Sequence, residues 1–456
     1  MTLVRRSAFG VRRKNDRSSL EHHRADISRC VRCGVCRAVC PSFQPDREES
    51  LSPRGRIALI HALLEKRLPL SGIFVDRLAT CTSCLACEAA CPSNVPVTAI
   101  IQAAKEDAVR ASGRGLISRF VTAALTNDHA MRSLVWLAPV VLRYAGMEGK
   151  RVRNAPVRSR RDDRTATENP SPYPLPSGER IKVRGDLLVK VPGSQGRIAF
   201  YPGCAIKHFQ PDIGIAAVAV LEQAGYEVVV LDDAACCGRP LLSLGDREAA
   251  RAKAEQNQQL FLSLKVDRVV TACASCGLTF KSEYPTLLAR SGAVPVPVLD
   301  IHEVLAEVMP ALSLGTLPQR VTWHEPCHLG RGQGLAKTAR SVLRSFPGIE
   351  LVEAAHPGKC CGFGGVMRIN HHRLSNAIGD ARAKDLIKTA APIVVTGCPG
   401  CRMQLAEALR RAGSDAVVLH TVQVILEAMR NVEMKGSRGQ GSGARKKPAE
   451  TGKELT

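Results

Sequence analysis

Apolar positions along this chain follow two different spacings, and the change between them divides it. From 55 to 66 and again from 97 to 109, apolar residues recur every three to four positions (Ile57, Ile60 and Leu64; Val97, Ile100, Ile101 and Ala104), which predicts helices rather than strands. From Arg197 onward, short apolar runs alternate with helical stretches. Residues 198–201, 227–231 and 268–272 read as buried strands, with helices over 214–224 and 246–263. The same order returns at an offset of about 124 residues: a strand at 321–323, a helix, a strand at 349–352, a long helix and a strand at 393–396. Strand and helix in alternation predict parallel β units.

The segments between these patterns have a different composition. Residues 150–190 are rich in Arg, Pro and Ser and read as a flexible or inserted linker, while 435–456 is rich in Gly, Lys and Arg and reads as a disordered tail. The expected organisation is therefore multidomain. It comprises a basic disordered tail (1–20), a helical domain (21–125), a helical and Pro/Arg-rich linker (126–196), two α/β repeats (197–310 and 318–430) and a disordered basic tail (431–456). A chain of 456 residues supports two to three domains, and the long linker predicts halves that behave as independent units.

All 18 cysteines fall into four sets on this frame. Cys30, Cys33, Cys36 and Cys40 read C-x2-C-x2-C-x3-C followed by Pro41, and Cys81, Cys84, Cys87 and Cys91 repeat that spacing before Pro92. Such a loop wraps three thiolates around an iron–sulfur cube, and its fourth cysteine ligates the other cluster of a pair. The pattern therefore assigns Cys30, Cys33, Cys36 and Cys91 to one [4Fe-4S] cubane and Cys81, Cys84, Cys87 and Cys40 to a second. Zinc does not call for a third cysteine at this spacing or for the Cys-Pro ending, and the absence of a secretory apolar region argues against disulfides.

The other ten cysteines follow a longer pattern, each copy placing its thiols at the carboxyl ends of predicted strands, where open α/β sheets hold ligands. Cys204, Cys236, Cys237, Cys273 and Cys276 form the first copy; Cys327, Cys360, Cys361, Cys398 and Cys401 form the second. This arrangement resembles the duplicated CCG (cysteine-rich) domain of heterodisulfide reductase, lactate-utilisation proteins and glycolate oxidase iron–sulfur subunits. The helical segments around the first eight cysteines resemble the α-helical ferredoxin domain of fumarate reductase and glycerol-3-phosphate dehydrogenase iron–sulfur subunits. Three kinds of protein join both parts in one chain: the glycolate oxidase iron–sulfur subunit, the anaerobic glycerol-3-phosphate dehydrogenase C subunit and the heterodisulfide reductase D subunit. The strings Ser52-Pro53-Arg54-Gly55-Arg56-Ile57, His324-Glu325-Pro326-Cys327-His328-Leu329 and Cys360-Cys361-Gly362-Phe363-Gly364-Gly365 favour the first.

The resemblance implies one or two further, noncubane [4Fe-4S] clusters in the CCG repeats. It also implies an FAD-binding dehydrogenase subunit as partner, oxidation of a 2-hydroxy acid (glycolate or D-lactate) on that partner, and relay of electrons to quinone or a membrane redox partner. The competing expectation is a heterodisulfide-reductase-like oxidoreductase with catalysis at a CCG cluster. His324 and His328 either tune a cluster or pack the loop beside Cys327. No G-x-G-x-x-G follows a strand, and neither a P-loop nor a Ser/His/Asp order occurs, so no flavin, nicotinamide or hydrolytic site is expected and no catalytic residue is assigned.

Sixty-four Lys and Arg against 42 Asp and Glu give a net charge of +22, with Arg5, Arg6, Arg12, Arg13, Lys14 and Arg17 crowded at one end. That excess fits solvated tails, an acidic partner or anionic lipid; with few aromatics and no binding motif, nucleic acid is not expected. No apolar run is long enough to span a bilayer: the best, 134–142, fits a packed helix. Arg5-Arg6 precedes no apolar h-region, so the expected location is the cytoplasm, with peripheral association at the inner face of the cell membrane.

Overall fold

The computed structural model describes residues 18–113, 115–126, 195–289 and 292–439. The basic segment 1–17, the apolar run 134–142, the linker over 127–194 and the tail from 440 lie outside the described residues.

The first unit is helical: α1 (Arg24–Ser28), α2 (Val35–Val39), α3 (Pro53–Leu64), α4 (Gly72–Ala79), α5 (Ala86–Ala89), α6 (Val97–Ser112) and α7 (Leu116–Thr126). Ser52 starts α3 by accepting the Gly55 N–H at 2.9 Å, with Pro53 at the first helical position, where no N–H is needed. Ile57, Ile60, Phe74, Leu78, Val97, Ile100 and Ile101 interlock α3, α4 and α6 into one small core. Leu20, expected in the disordered tail, is 2% exposed and packs in that core. The backbone N–H groups of Ser19 and Leu20 donate to Asp107 of α6 at 2.9 and 3.1 Å, so the fold begins by Ser18.

The second unit holds two four-stranded, wholly parallel sheets. The first runs β1 (Gly196–Phe200), α8 (Gly203–Phe209), α9 (Pro211–Gln223), β2 (Tyr226–Val230), α10 (Arg239–Ser243), α11 (Arg247–Ser263), β3 (Arg268–Thr271), α12 (Ala274–Leu278), α13 (Tyr284–Leu287), β4 (Val298–Asp300) and α14 (Ile301–Val308). The second runs β5 (Gln319–His324), α15 (Cys327–Gln333), α16 (Ala336–Arg344), β6 (Ile349–Val352), α17 (Met367–Asn370), α18 (His372–Ile387), β7 (Ile393–Thr396), α19 (Pro399–Arg411), β8 (Val417–His420) and α20 (Thr421–Gly439). Strand orders β2-β1-β3-β4 and β6-β5-β7-β8 put the topological switch between β1 and β3, and between β5 and β7.

Four further features depart from the sequence expectations. β4 and β8, short strands at one edge of each sheet, were not expected. Residues 431–439, expected in the disordered tail, continue α20, because Val422, Val424, Ile425 and Ala428 anchor that helix in the core and no proline interrupts it before Gly439. The repeats also exchange partners: α9 of the first copy packs against α20 of the second, and α14 against α16. Finally, the helical unit does not stand apart. Lys105 Nζ donates to Ser243 O at 3.2 Å, Thr122 Oγ1 to Asp246 Oδ2 at 3.2 Å, and Arg247 pairs with Glu106 at 3.6 Å.

Among the described residues no single helix is long and apolar enough to cross a membrane. α8 and α9 pass that test only together, bent by 111° and carrying buried Ile206, Ile213, Val220 and Leu221 of the sheet core.

Candidate iron–sulfur centres

In each ferredoxin run, two residues between cysteines take left-handed backbone angles: Arg32 (φ +56°) and Gly34 (φ +88°), then Ser83 (φ +52°) and Leu85 (φ +62°). These paired turns curl each loop around a cavity. One cavity is lined by Cys30, Cys33, Cys36 and Cys91, with Cys87 at its edge; the other is lined by Cys40, Cys81, Cys84 and Cys87. All 18 thiols are unpaired.

Buried Arg56 lies against the second cavity, and its partners there are neutral: Ser42 Oγ at 2.9 Å, Thr80 Oγ1 at 2.6 Å and Arg77 O at 2.9 Å. A buried cation with neutral partners is costly unless an anion stands close by. Burial pushes the thiols of Cys36, Cys40 and Cys87 up, and their mutual repulsion adds to it, so the set ionises only around cations. A cluster of iron ions with net negative charge satisfies both demands.

The CCG sets gather at the carboxyl ends of the strands. Cys204 follows β1, Cys273 and Cys276 follow β3, and Cys236 and Cys237 lie on the turn after β2, with Cys236 Sγ 3.7 Å from Cys204 Sγ. In the second set Cys361 Sγ lies 3.3 Å from Cys401 Sγ. Neighbouring S–H groups hold Cys237 well below the usual range in the first set (from Cys236 and Cys276), and Cys361 (from Cys360 and Cys401) and Cys398 (from Cys273 and Cys401) in the second, while Cys276 and Cys401 are pushed up. Gly238 and Gly362 close the Cys-Cys turns at φ +89° and +85°. Five thiols in each place exceed the four donors of a tetrahedral zinc site.

The sets also meet one another, which the sequence reading did not foresee. Cys84 and Cys360 shift each other's ionisation, as do Cys273 and Cys398, and Cys398 Sγ lies 3.9 Å from Ser275 Oγ of the first copy. Arg331 holds the first junction, donating to Cys84 O at 2.8 Å and Gly358 O at 2.7 Å. His328 joins three units: its Nε2 donates to Ser83 O at 3.1 Å, and its Nδ1 faces Ser275 Oγ at 2.9 Å. Burial holds its pKa down to about 4, so it serves as a neutral brace. Sequence reasoning named His328, placed Arg56 and Arg331 in family-like strings without giving them a role, and missed Lys105 and Ser275, whose types carry no spacing signal.

Comparison with known proteins agrees with these two kinds of site. Residues 26–95 match the 4Fe-4S dicluster domain, and residues 198–281 and 321–406 each match the cysteine-rich domain. A probable glycolate oxidase iron–sulfur subunit of Bacillus subtilis is 28% identical over 421 residues, covering 88% of this chain and 94% of that protein. The D subunit of dihydromethanophenazine:CoB–CoM heterodisulfide reductase from Methanosarcina barkeri is 26% identical, covering 89% and 94%. The B subunit of fumarate reductase (CoM/CoB) from Methanothermobacter marburgensis is 36% identical over 235 residues; these cover 51% of this chain but only 46% of that longer protein.

Proposed function

Because the chain belongs to the iron–sulfur subunit family that joins a 4Fe-4S dicluster domain to two cysteine-rich domains, we propose that it is the electron-relaying subunit of a 2-hydroxy-acid dehydrogenase. Its partner is an FAD-binding subunit that oxidises glycolate or D-lactate, and its acceptor is quinone or a membrane redox protein. In this reading Cys30, Cys33, Cys36 and Cys91 hold the first cubane and Cys40, Cys81, Cys84 and Cys87 the second, while the two five-cysteine sets hold the remaining clusters.

The observation that carries the reading is the serial contact of the four sets. The first cavity opens at exposed Cys33 and shares Cys87 with the second; the second meets the second CCG copy where His328 and Arg331 bond Ser83 O and Cys84 O; and the second CCG set meets the first copy where Cys398 Sγ lies 3.9 Å from Ser275 Oγ. When filled, such a series passes single electrons, whereas hydride removal from a substrate needs a flavin or nicotinamide. The chain alone should show no glycolate or lactate oxidation, and with its flavoprotein it should reduce a quinone analogue. Replacing Cys360 and Cys361 by Ser should stop quinone reduction while the partner's flavin is still reduced by substrate. Reduction of a small disulfide by the chain alone would instead favour the heterodisulfide-reductase-like reading.

A further inference from the structure

The two CCG copies differ at one corner in a way that bears on their clusters. His324 stands three residues before Cys327, and Tyr201 holds the same place before Cys204. Both are buried, at 1% and 0% exposure. In the first copy the corner is closed by neutral groups. Tyr201 donates its hydroxyl to Ala235 O at 2.6 Å, and Asn257 of α11 donates to the same carbonyl at 3.2 Å.

In the second copy Arg382 of α18 stands where Asn257 stands on α11, and it holds the corresponding loop through His356 O at 2.7 Å and Pro357 O at 3.2 Å. Its Nε lies 3.1 Å from His324 Nδ1. A guanidinium has hydrogens on every nitrogen and accepts nothing, so Nδ1 must accept with its lone pair. The neutral ring then carries its proton on Nε2. That nitrogen is buried and has no hydrogen-bond partner among the described residues, while one ring nitrogen of His324 lies within 4.8 Å of the sulfurs of Cys361 and Cys401. A buried N–H left without an acceptor costs about 1–3 kcal/mol.

We infer that His324 is an N–H donor to the cluster of the second CCG set and not one of its ligands, with Arg382 as the positioning residue that fixes its tautomer. A hydrogen bond to cluster sulfur stabilises the added electron and raises the reduction potential. Tyr201 offers the first set no such bond, since its proton is directed to Ala235 O. The second set is therefore the more easily reduced of the two, and electrons arriving past Cys84 settle there first. The inference rests on the proposal that a cluster fills the second set.

The test uses anaerobically purified holo-protein labelled with 15N-histidine. Pulsed electron paramagnetic resonance of the reduced second-set cluster should show one weak 15N coupling, absent in His324→Phe. In redox titration His324→Phe should move that cluster's midpoint to more negative potential, His324→Gln, which keeps an N–H, should move it less, and Tyr201→Phe should leave the first set's midpoint in place. A strong 15N coupling, as from direct ligation, would overturn the inference, as would no coupling or an unmoved potential in His324→Phe. Where His324→Phe fails to fold, His324→Gln decides, since its unlabelled side chain should also remove the 15N coupling, and a coupling that persisted there would come from another histidine and overturn the inference. Iron and sulfide sufficient for two cubanes only, with the ten CCG thiols free, would remove the filled site on which the inference stands.

Discussion

Cys84 lines the second ferredoxin cavity and its carbonyl accepts from Arg331 of another unit, so its neighbours come from two parts of the chain. The exchange of fourth cysteines can be read the same way, one thiol at a time. Cys91→Ser should abolish the first cubane's electron paramagnetic resonance signal and spare the second, although Cys91 belongs to the second run; Cys40→Ser should do the converse. If Cys91→Ser instead removed the second signal, each run would serve its own cluster. Lys105 makes a different kind of prediction. Burial lowers its pKa from 10.5 to about 8, so the folded protein binds fewer protons there than the unfolded chain between those values. Stability should therefore rise with pH across that window, by at most about 3 kcal/mol. The gain should appear in denaturation of the unsubstituted chain relative to Lys105→Met, and parallel curves would contradict it. The cysteines were readable from sequence because cluster ligation demands fixed spacing. Arg56 and Lys105 were not, because an arginine or lysine acquires such a role only when the fold buries it.

Helices α3, α6, α9 and α11 and the strands β1–β3 and β5–β7 carry strong periodic signals and lie within a few residues of their expected bounds. The edge strand β4 has only three residues and follows Pro297, and neither β4 nor β8 runs into a cysteine, so both lacked the strand-then-cysteine order that marked the other six. The Cys-Cys-Gly turns are more demanding than their sequence reveals. A Cβ on Gly362 would lie 2.6 Å from Ser375 O and 2.8 Å from Ile378 Cβ, whereas one on Gly238 would lie 3.3 Å from Ala250 O. Alanine at either position meets a left-handed backbone worth about 1–3 kcal/mol, and only Gly362→Ala adds a clash. Denaturant titration should rank Gly362→Ala as the more destabilising, with iron lost from the second set; equal effects would argue against the clash.

The long linker suggested independent halves, yet the helical unit rests on both CCG copies through Lys105, Arg247, His328 and Arg331. The sequence could not announce this, because each contact joins residues far apart along the chain, several of them through backbone carbonyls. Arg331→Met should keep the iron content and all cluster signals but slow electron transfer from the second cubane to the second CCG set severalfold, as read by flash reduction. Unchanged transfer would show that Arg331 does not set that spacing.

The exchange of helices between repeats, α9 against α20 and α14 against α16, has a consequence for how the halves diverge. Its reciprocity is that of a symmetric dimer, with His302 of one half reaching Thr421 of the other at 2.9 Å. In a dimer of identical subunits every substitution is made twice, and both sites change together. Here the two halves share one chain, so a replacement is made once. One half can keep a tyrosine where its twin holds a histidine, and an internally symmetric pair thereby acquires a direction.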